Sequence, residues 1–387
     1  MKILLIGNYI HSHQQSMQRF ADLLRELLTA AGHEVRLLKP GPLLGNLKPG
    51  EAGLGKWLGY VDRFILFRPR LRRAARWADV VHVCDHGNAM YAGMVGGRPN
   101  VVTCHDLLAV QSALGEIPGN VTGISGRIFQ RWILSGLKRA QHVVCVSEQT
   151  RSELRRLSGL PAARCSVVPN ALNYPYRPMA SVEARARLRR LGASAPWSFF
   201  VHVGGNQWYK NRAGVVRLFM QLAALPPFQS HHLVMAGKPW PDELRALVQG
   251  SGLAARVHEW TEVANEDLRA LYSTAEALLF PSLQEGFGWP IAEAQACGCP
   301  VVTTGRPPMT EVGGEAAIYI DPADPAGAAS QIALALTQRE LWRTAGLENA
   351  ARFSGEAMID GYLRSYAAVG AIAANAPGGV ASQAGRT

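Results

Sequence analysis

Short apolar runs alternate along the chain with longer stretches whose apolar residues recur at helical spacing. In the first half the runs at 2–6, 34–38, 79–85, 101–105, 142–147 and 165–169 read as buried strands. An amphipathic helix at 16–31, stopped by Gly32, separates the first two, and helical stretches fill most of the other gaps. The second half repeats the alternation, with strands at 198–203, 231–236, 256–259, 277–280, 300–303 and 316–320. Such alternation predicts right-handed βαβ units and parallel sheets. A chain of 387 residues is too long for one compact core, so two domains are expected. The fold class is therefore α/β, with two Rossmann-like, doubly wound parallel-sheet domains facing a cleft. Two prolines in the extended stretch 170–178 (NALNYPYRP) read as the linker. The domains are expected at 1–175 and 176–355, with a C-terminal helix at about 356–374 joining the first. The small, polar tail 375–387 is expected to be disordered.

Within this frame the stretch 277–304 (ALLFPSLQEGFGWPIAEAQACGCPVVTT) reads as strand, glycine loop, helix, strand. Gly286 and Gly288 leave the loop free of Cβ atoms, so its amides can approach a ligand closely. Pro290 suits the first helical position and Gly298 the left-handed stop. Unpaired amides and the positive dipole end of the helix start favour phosphate. Seven residues separate Glu285 before the loop from Glu293 on the helix, and both can accept sugar hydroxyls. Together these features describe a nucleotide-sugar site.

The block EGFGWPIAE, with LLFPSLQEGFG before and EAQACGCPVV after it, resembles the E-x7-E element of retaining GT-B glycosyltransferases of family four. The resemblance implies two facing Rossmann-like domains and a nucleotide diphosphate sugar as co-substrate, with no cofactor. It assigns Glu285 to hydroxyls of the transferred sugar and Glu293 to the ribose, with Gly286, Phe287 and Gly288 holding the donor. In FVHVGGNQWYKNRAGVV, Gly204 ends a strand and Lys210 matches the family's lysine against the donor diphosphate. The arginine that many members carry soon after the first glycine is absent, and Arg212 is the candidate substitute. His105, closing the strand VVTCHD, matches the family's cleft histidine, which contacts the donor sugar through backbone or ring; a purely structural histidine is the alternative.

Other residues are acceptor-side candidates. His11 and His13 follow the first strand where members often carry a Gly-Gly pair, which leaves a phosphate contact there open. His86 and Asn88 follow the third strand. Ser147 suits a helix N-cap, and 265–274 reads as a purely structural helix. Members usually have a glycine near Trp260–Thr261, and this chain does not. No Asp-x-Asp triplet is present, so no metal is expected; Lys210, the loop amides and the helix dipole can neutralise the leaving diphosphate.

Charge adds a further partner. Residues 1–196 carry 27 Lys and Arg against 12 Asp and Glu, a net of +15, while the remainder nets −4. RFILFRPRLRRAARW at 63–77 sets six arginines among Phe64, Phe67 and Trp77. Arg70, Arg72 and Arg73 are candidates for an anionic membrane surface or a lipid-diphosphate acceptor, with a plain solvated face as the alternative. No nucleic-acid motif accompanies them, so a nucleic-acid partner is not expected. The opening apolar run is too short for a signal peptide, and no run approaches about 20 apolar residues. The six cysteines suit buried reduced thiols. The expected setting is cytoplasmic, with peripheral attachment at the inner face of the plasma membrane. The expected activity is retaining, metal-independent transfer of a hexose, of mannose or glucose type, to a glycan or lipid-linked acceptor in polysaccharide or glycolipid synthesis. The alternatives are a GT-B relative, such as a nucleotide-sugar epimerase or a phosphorylase, and a non-catalytic binding protein.

Overall fold

The computed structural model describes residues 1–10, 15–47, 53–192 and 198–371. The expected His11 and His13 and the tail 375–387 lie outside these residues. All twelve expected strands are present, with ends shifted by at most two residues. The first six are β1 (Lys2–Ile6), β2 (Glu34–Leu38), β3 (Val80–Val83), β4 (Asn100–Cys104), β5 (His142–Cys145) and β6 (Cys165–Val167). They form a parallel sheet in the order β2-β1-β3-β4-β5-β6. The second sheet comprises β7 (Phe199–Gly204), β8 (His232–Gly237), β9 (Val257–Thr261), β10 (Leu278–Phe280), β11 (Val301–Thr304) and β12 (Ile318–Ile320). Its order is β12-β11-β10-β7-β8-β9, again parallel. The connections change direction between β1 and β3, and between β7 and β10. Such switch points open the crevices in which doubly wound sheets bind ligands.

After β6 the chain passes through the stretch 170–178 to the helix Ser181–Arg190, which packs against Asn265–Thr274 in the second half. It returns after Phe353, and the helix Gly355–Ala368 covers the first sheet beside Gln15–Ala30. The returning helix is fastened by buried polar contacts. His82 on β3 bonds the Tyr366 hydroxyl through Nδ1 at 2.8 Å and Thr103 through Nε2 at 2.7 Å, and Thr103 meets the Tyr362 hydroxyl at 3.0 Å.

Burial, with a smaller push from His105, lowers the His82 pKa to about 3. The unfolded chain therefore binds a proton below its ordinary value of 6.5 that the folded chain refuses, so stability falls as pH drops from 6.5 toward 3. At pH 5 the loss from this one group is on the order of 2 kcal/mol. His202, also fully buried, is held at about 3 and acts in the same direction. Glu293, raised to about 7, acts oppositely, gaining stability as pH falls toward 4.5. His82→Gln should thus be less stable than the parent at pH 7 yet lose less between pH 7 and pH 5 in denaturant titrations. Equal pH slopes in the two proteins would refute the assignment.

The arginine stretch departs from its expected arrangement. A π-helical turn, Asp62–Leu66, runs into the helix Phe67–Ala75. Phe67, Leu71 and Ala75 face the core, while Phe64 and Trp77 are half-buried against it. Trp77 is further covered by the Arg36 guanidinium, 3.9 Å above its ring. The three aromatics expected to meet a membrane therefore pack inward, because a four-residue apolar spacing forms one helix face. Arg70, Arg72 and Arg73 remain exposed.

Candidate active site

The loop after β10 runs through Pro281 and Glu285 to the glycines, and the helix Trp289–Ala296 follows with Pro290 in its first turn. Gly288 adopts φ 99° at the helix start, a conformation that favours glycine. The strand adjacent to β10, β7, ends in Gly204, and a short turn, Trp208–Lys210, brings Lys210 back over the strand ends. Asn211 holds the left-handed conformation at φ 51°, and its Nδ2 donates to the Pro281 carbonyl at 3.1 Å, tying the two loops together. Lys210 Nζ consequently lies 2.7 Å from Glu285 Oε1 and 5.0 Å above the Phe280 ring. Both partners of this ion pair are largely buried. A Cβ on Gly204 would lie 3.0 Å from His202 Nε2, so glycine here relieves a tight approach to that ring.

Glu293 sits one helical turn in and is buried. Its Oε2 accepts from the Tyr272 hydroxyl at 3.0 Å and its Oε1 from Asn173 Nδ2 at 3.3 Å. Burial pushes its carboxyl up to about 7, against the pull of Tyr272, Arg19, Asn173 and Lys210. The helix Asn265–Thr274, expected to be purely structural, thus supplies a partner to this carboxylate. Asn173 comes from the stretch between the domains. Arg212, also buried, donates through Nη1 to Asn206 Oδ1 and to the Lys238 carbonyl. Its Nε and Nη2 have no protein partner. Beyond β9 the chain takes the left-handed conformation at Glu262, φ 55°, without a glycine.

On the opposite wall, the His105 ring is buried and its Nε2 donates to the Cys84 carbonyl at 2.8 Å. Burial depresses its pKa despite the nearby Asp85. Its carbonyl, rather than its ring, faces the glycine loop: a Cβ on Gly286 would lie 2.0 Å from that oxygen. His86 Nδ1 lies 3.4 Å from both Asp85 Oδ1 and the His105 amide. Burial alone would raise the Asp85 carboxyl, but His86, His105, the Gly87 amide and Asn8 outweigh it and hold it low. Asn88 is buried, with Nδ2 donating to Asn8 and Oδ1 accepting from Arg63, so it braces the strand ends instead of lining a pocket. Beside Glu285 the walls enclose a cavity of about 330 Å³, bordered by Asp106, Gln111, Gln149, Glu153 and Arg306. That volume falls within the roughly 300–1,000 Å³ of small-molecule clefts.

Two Rossmann-like domains whose strand ends face one another, with an E-x7-E loop and helix at the second switch point, define a GT-B glycosyltransferase. Residues 17–174 match the model described as "Glycosyltransferase Family 4", and residues 191–352 match "Glycosyl transferases group 1". The chain belongs to this family of GT-B glycosyltransferases, family four. Among its relatives is O-antigen chain mannosyltransferase B of Escherichia coli, 29% identical over 312 residues that cover 79% of each chain. A D-inositol 3-phosphate glycosyltransferase of Rhodococcus opacus is 27% identical over 389 residues, covering 95% of this chain and 85% of its own. Among solved structures, HepE of Anabaena with UDP and glucose superposes with a TM-score of 0.71 at 17% identity, covering 95% of this chain and 99% of that one. WaaG, a glycosyltransferase of lipopolysaccharide biosynthesis, gives 0.66 at 18% identity over the same shares. Among the described residues no helix is long and apolar enough to cross a membrane.

Proposed function

We propose that the chain transfers a hexose from a nucleotide diphosphate sugar to a glycan or lipid-linked acceptor in cell-surface polysaccharide synthesis, with retention and without a metal. The observation that carries this reading is the Lys210–Glu285 pair, set at the glycine loop and the start of the helix Trp289–Ala296. An ammonium has three donors, so Lys210 can hold Glu285 and a phosphate oxygen together. Glu285 keeps acceptor capacity for a sugar hydroxyl, and Glu293 is the candidate for the ribose. Arg212, held through Nη1 at Asn206 and the Lys238 carbonyl, is the candidate second cation in place of the absent family arginine. Same-face attack is the favoured route to retention. The bond from the anomeric carbon to phosphate breaks, the acceptor oxygen bonds to that carbon, and its proton passes to the leaving phosphate oxygen.

A panel of GDP, UDP and ADP with their mannose and glucose sugars tests for the donor. A ligand at a hundred times its dissociation constant stabilises the fold by about 2.7 kcal/mol, which thermal unfolding registers. No shift with any of the panel would refute the reading. Product formed only when an acceptor is supplied would separate a transferase from an epimerase.

The membrane reading passes to a different set of apolar groups. Trp57, Ile65, Ile124 and Ile128 are 60–78% exposed. Tyr60 stacks on Phe129 at 5.3 Å and Phe64 meets Trp132 at 4.6 Å, joining the helix Gly53–Val61 and the π-helical turn after it to the helix Ile124–Arg139. Arg127 and Arg131, on the same helix as Ile124 and Ile128, and Arg70, Arg72 and Arg73, on the helix Phe67–Ala75, are exposed. An apolar patch beside cations fits an anionic lipid surface, where each arginine contributes about 1 kcal/mol. The chain should co-sediment with anionic vesicles and less with neutral ones, and salt should weaken binding. Serine at Arg70, Arg72 and Arg73, or at Ile124 and Ile128, should reduce recovery. Equal recovery on both lipids, or from all variants, would leave the patch without this partner.

A further inference from the structure

The two domains are fastened to one another at the start of a single helix, Glu148–Ser158, in the first domain. Ser147 caps that helix by accepting from the Thr150 amide at 3.1 Å, and its hydroxyl also donates to the Gly286 carbonyl of the donor loop at 2.8 Å. The Glu311 carboxylate of the second domain reaches the same helix start, accepting from the Glu148 amide at 2.6 Å and the Gln149 amide at 2.9 Å. These amides have no partner within the helix, and the helix dipole favours a negative charge there. Glu311 is itself rigidly based. Its short helix, Met309–Gly313, is held by Asn349 Nδ2 on the Val312 carbonyl at 2.7 Å and by Arg352 on the Glu311 carbonyl at 3.2 Å.

We propose that Glu311 and Ser147 are positioning residues: they form an interdomain clasp that seats Gly286 against the His105 carbonyl and so sets the donor-sugar loop for transfer. The geometry accounts for each part. Glu311 supplies the strength, through two charge-assisted bonds; Ser147 supplies the register, by gripping the carbonyl of Gly286, the residue after Glu285. Neither residue touches Lys210 or Glu293, around which the nucleotide is expected; Ser147 meets the donor loop only at the Gly286 carbonyl. Losing the clasp should therefore open the domains and slow turnover without weakening nucleotide binding.

The turnover arm rests on the transferase reading, whereas the scattering arm does not. Each charge-assisted bond shifts the closed-to-open ratio about tenfold or more. Glu311→Ala should raise the radius of gyration measured by small-angle X-ray scattering without ligand. It should also lower kcat about tenfold or more, with the dissociation constant for a nucleoside diphosphate within about twofold of the parent. Glu148→Pro attacks the other side. It deletes one of the two amide donors at the first helical position, where proline is tolerated, and follows a residue already extended at φ −152° and ψ 160°. It should show the same pattern to a lesser degree, which guards against misfolding of the first variant. Parent-like scattering in both variants overturns the proposal. So does parent-like kcat, or a fall in nucleotide affinity matching the fall in kcat. If the chain transfers no sugar at all, the transferase reading fails and scattering alone decides the clasp.

Discussion

Lys210→Ala is expected to weaken nucleoside diphosphate binding by about 10- to 100-fold, because a hydrogen bond to a charged group contributes roughly 1.5–3 kcal/mol. The lysine is poised by its surroundings. Asn211 fixes the turn that carries it, the Phe280 ring supports the ammonium, and Glu285 holds it 2.7 Å away. Its removal also strands a buried carboxylate, so the melting temperature should fall as well. Calorimetric titration of the folded variant separates the two effects. If it binds as tightly as the parent, Lys210 is no phosphate ligand, and the ion pair is only a structural tie.

Gly286→Ala should cut turnover about a hundredfold, the scale at which a misplacement of roughly 1 Å slows an enzyme. The closed arrangement leaves no space for a side chain, since a Cβ would lie 2.0 Å from the His105 oxygen and 2.9 Å from its carbon. Both atoms are backbone on a strand end and cannot swing aside. Nucleotide affinity, which rests on Lys210 and Glu293, should change little. Comparing kcat with the dissociation constant makes the test. Parent-like turnover would mean that the closed contact is not the working arrangement.

Much of this was legible in local pattern. Twelve strands, the glycine loop and the capping role of Ser147 each rest on a few neighbouring residues, whereas the place of Lys210, 75 residues from Glu285, followed from the family resemblance alone. What joins distant segments was not legible. Nothing near Asn173 or Tyr272 signals that they meet at Glu293, because 120 and 21 residues separate them from it. Glu311 reaches its partners across more than 160 residues and stands in an unremarkable run, TEVGGE. Asn88 misled because its sequence position beside a strand end is right while its side chain turns inward. The aromatics of the arginine stretch could have been read better. Phe67, Leu71 and Ala75 at four-residue spacing already mark a buried face.

The returning helix Gly355–Ala368 has a mechanical consequence. The chain crosses from one domain to the other twice, once on the way out and once on the way back, and the crossings are joined by a bond from the Leu172 amide to the Phe353 carbonyl at 3.1 Å. A door hung from one pin can sag and twist; hung from two that are linked, it swings about a single line. The Trp289 indole, donating to the Ala171 carbonyl at 3.0 Å, sets the first turn of the donor helix almost on that line. Groups near the pins travel little as the door moves, and those farther from the line travel more.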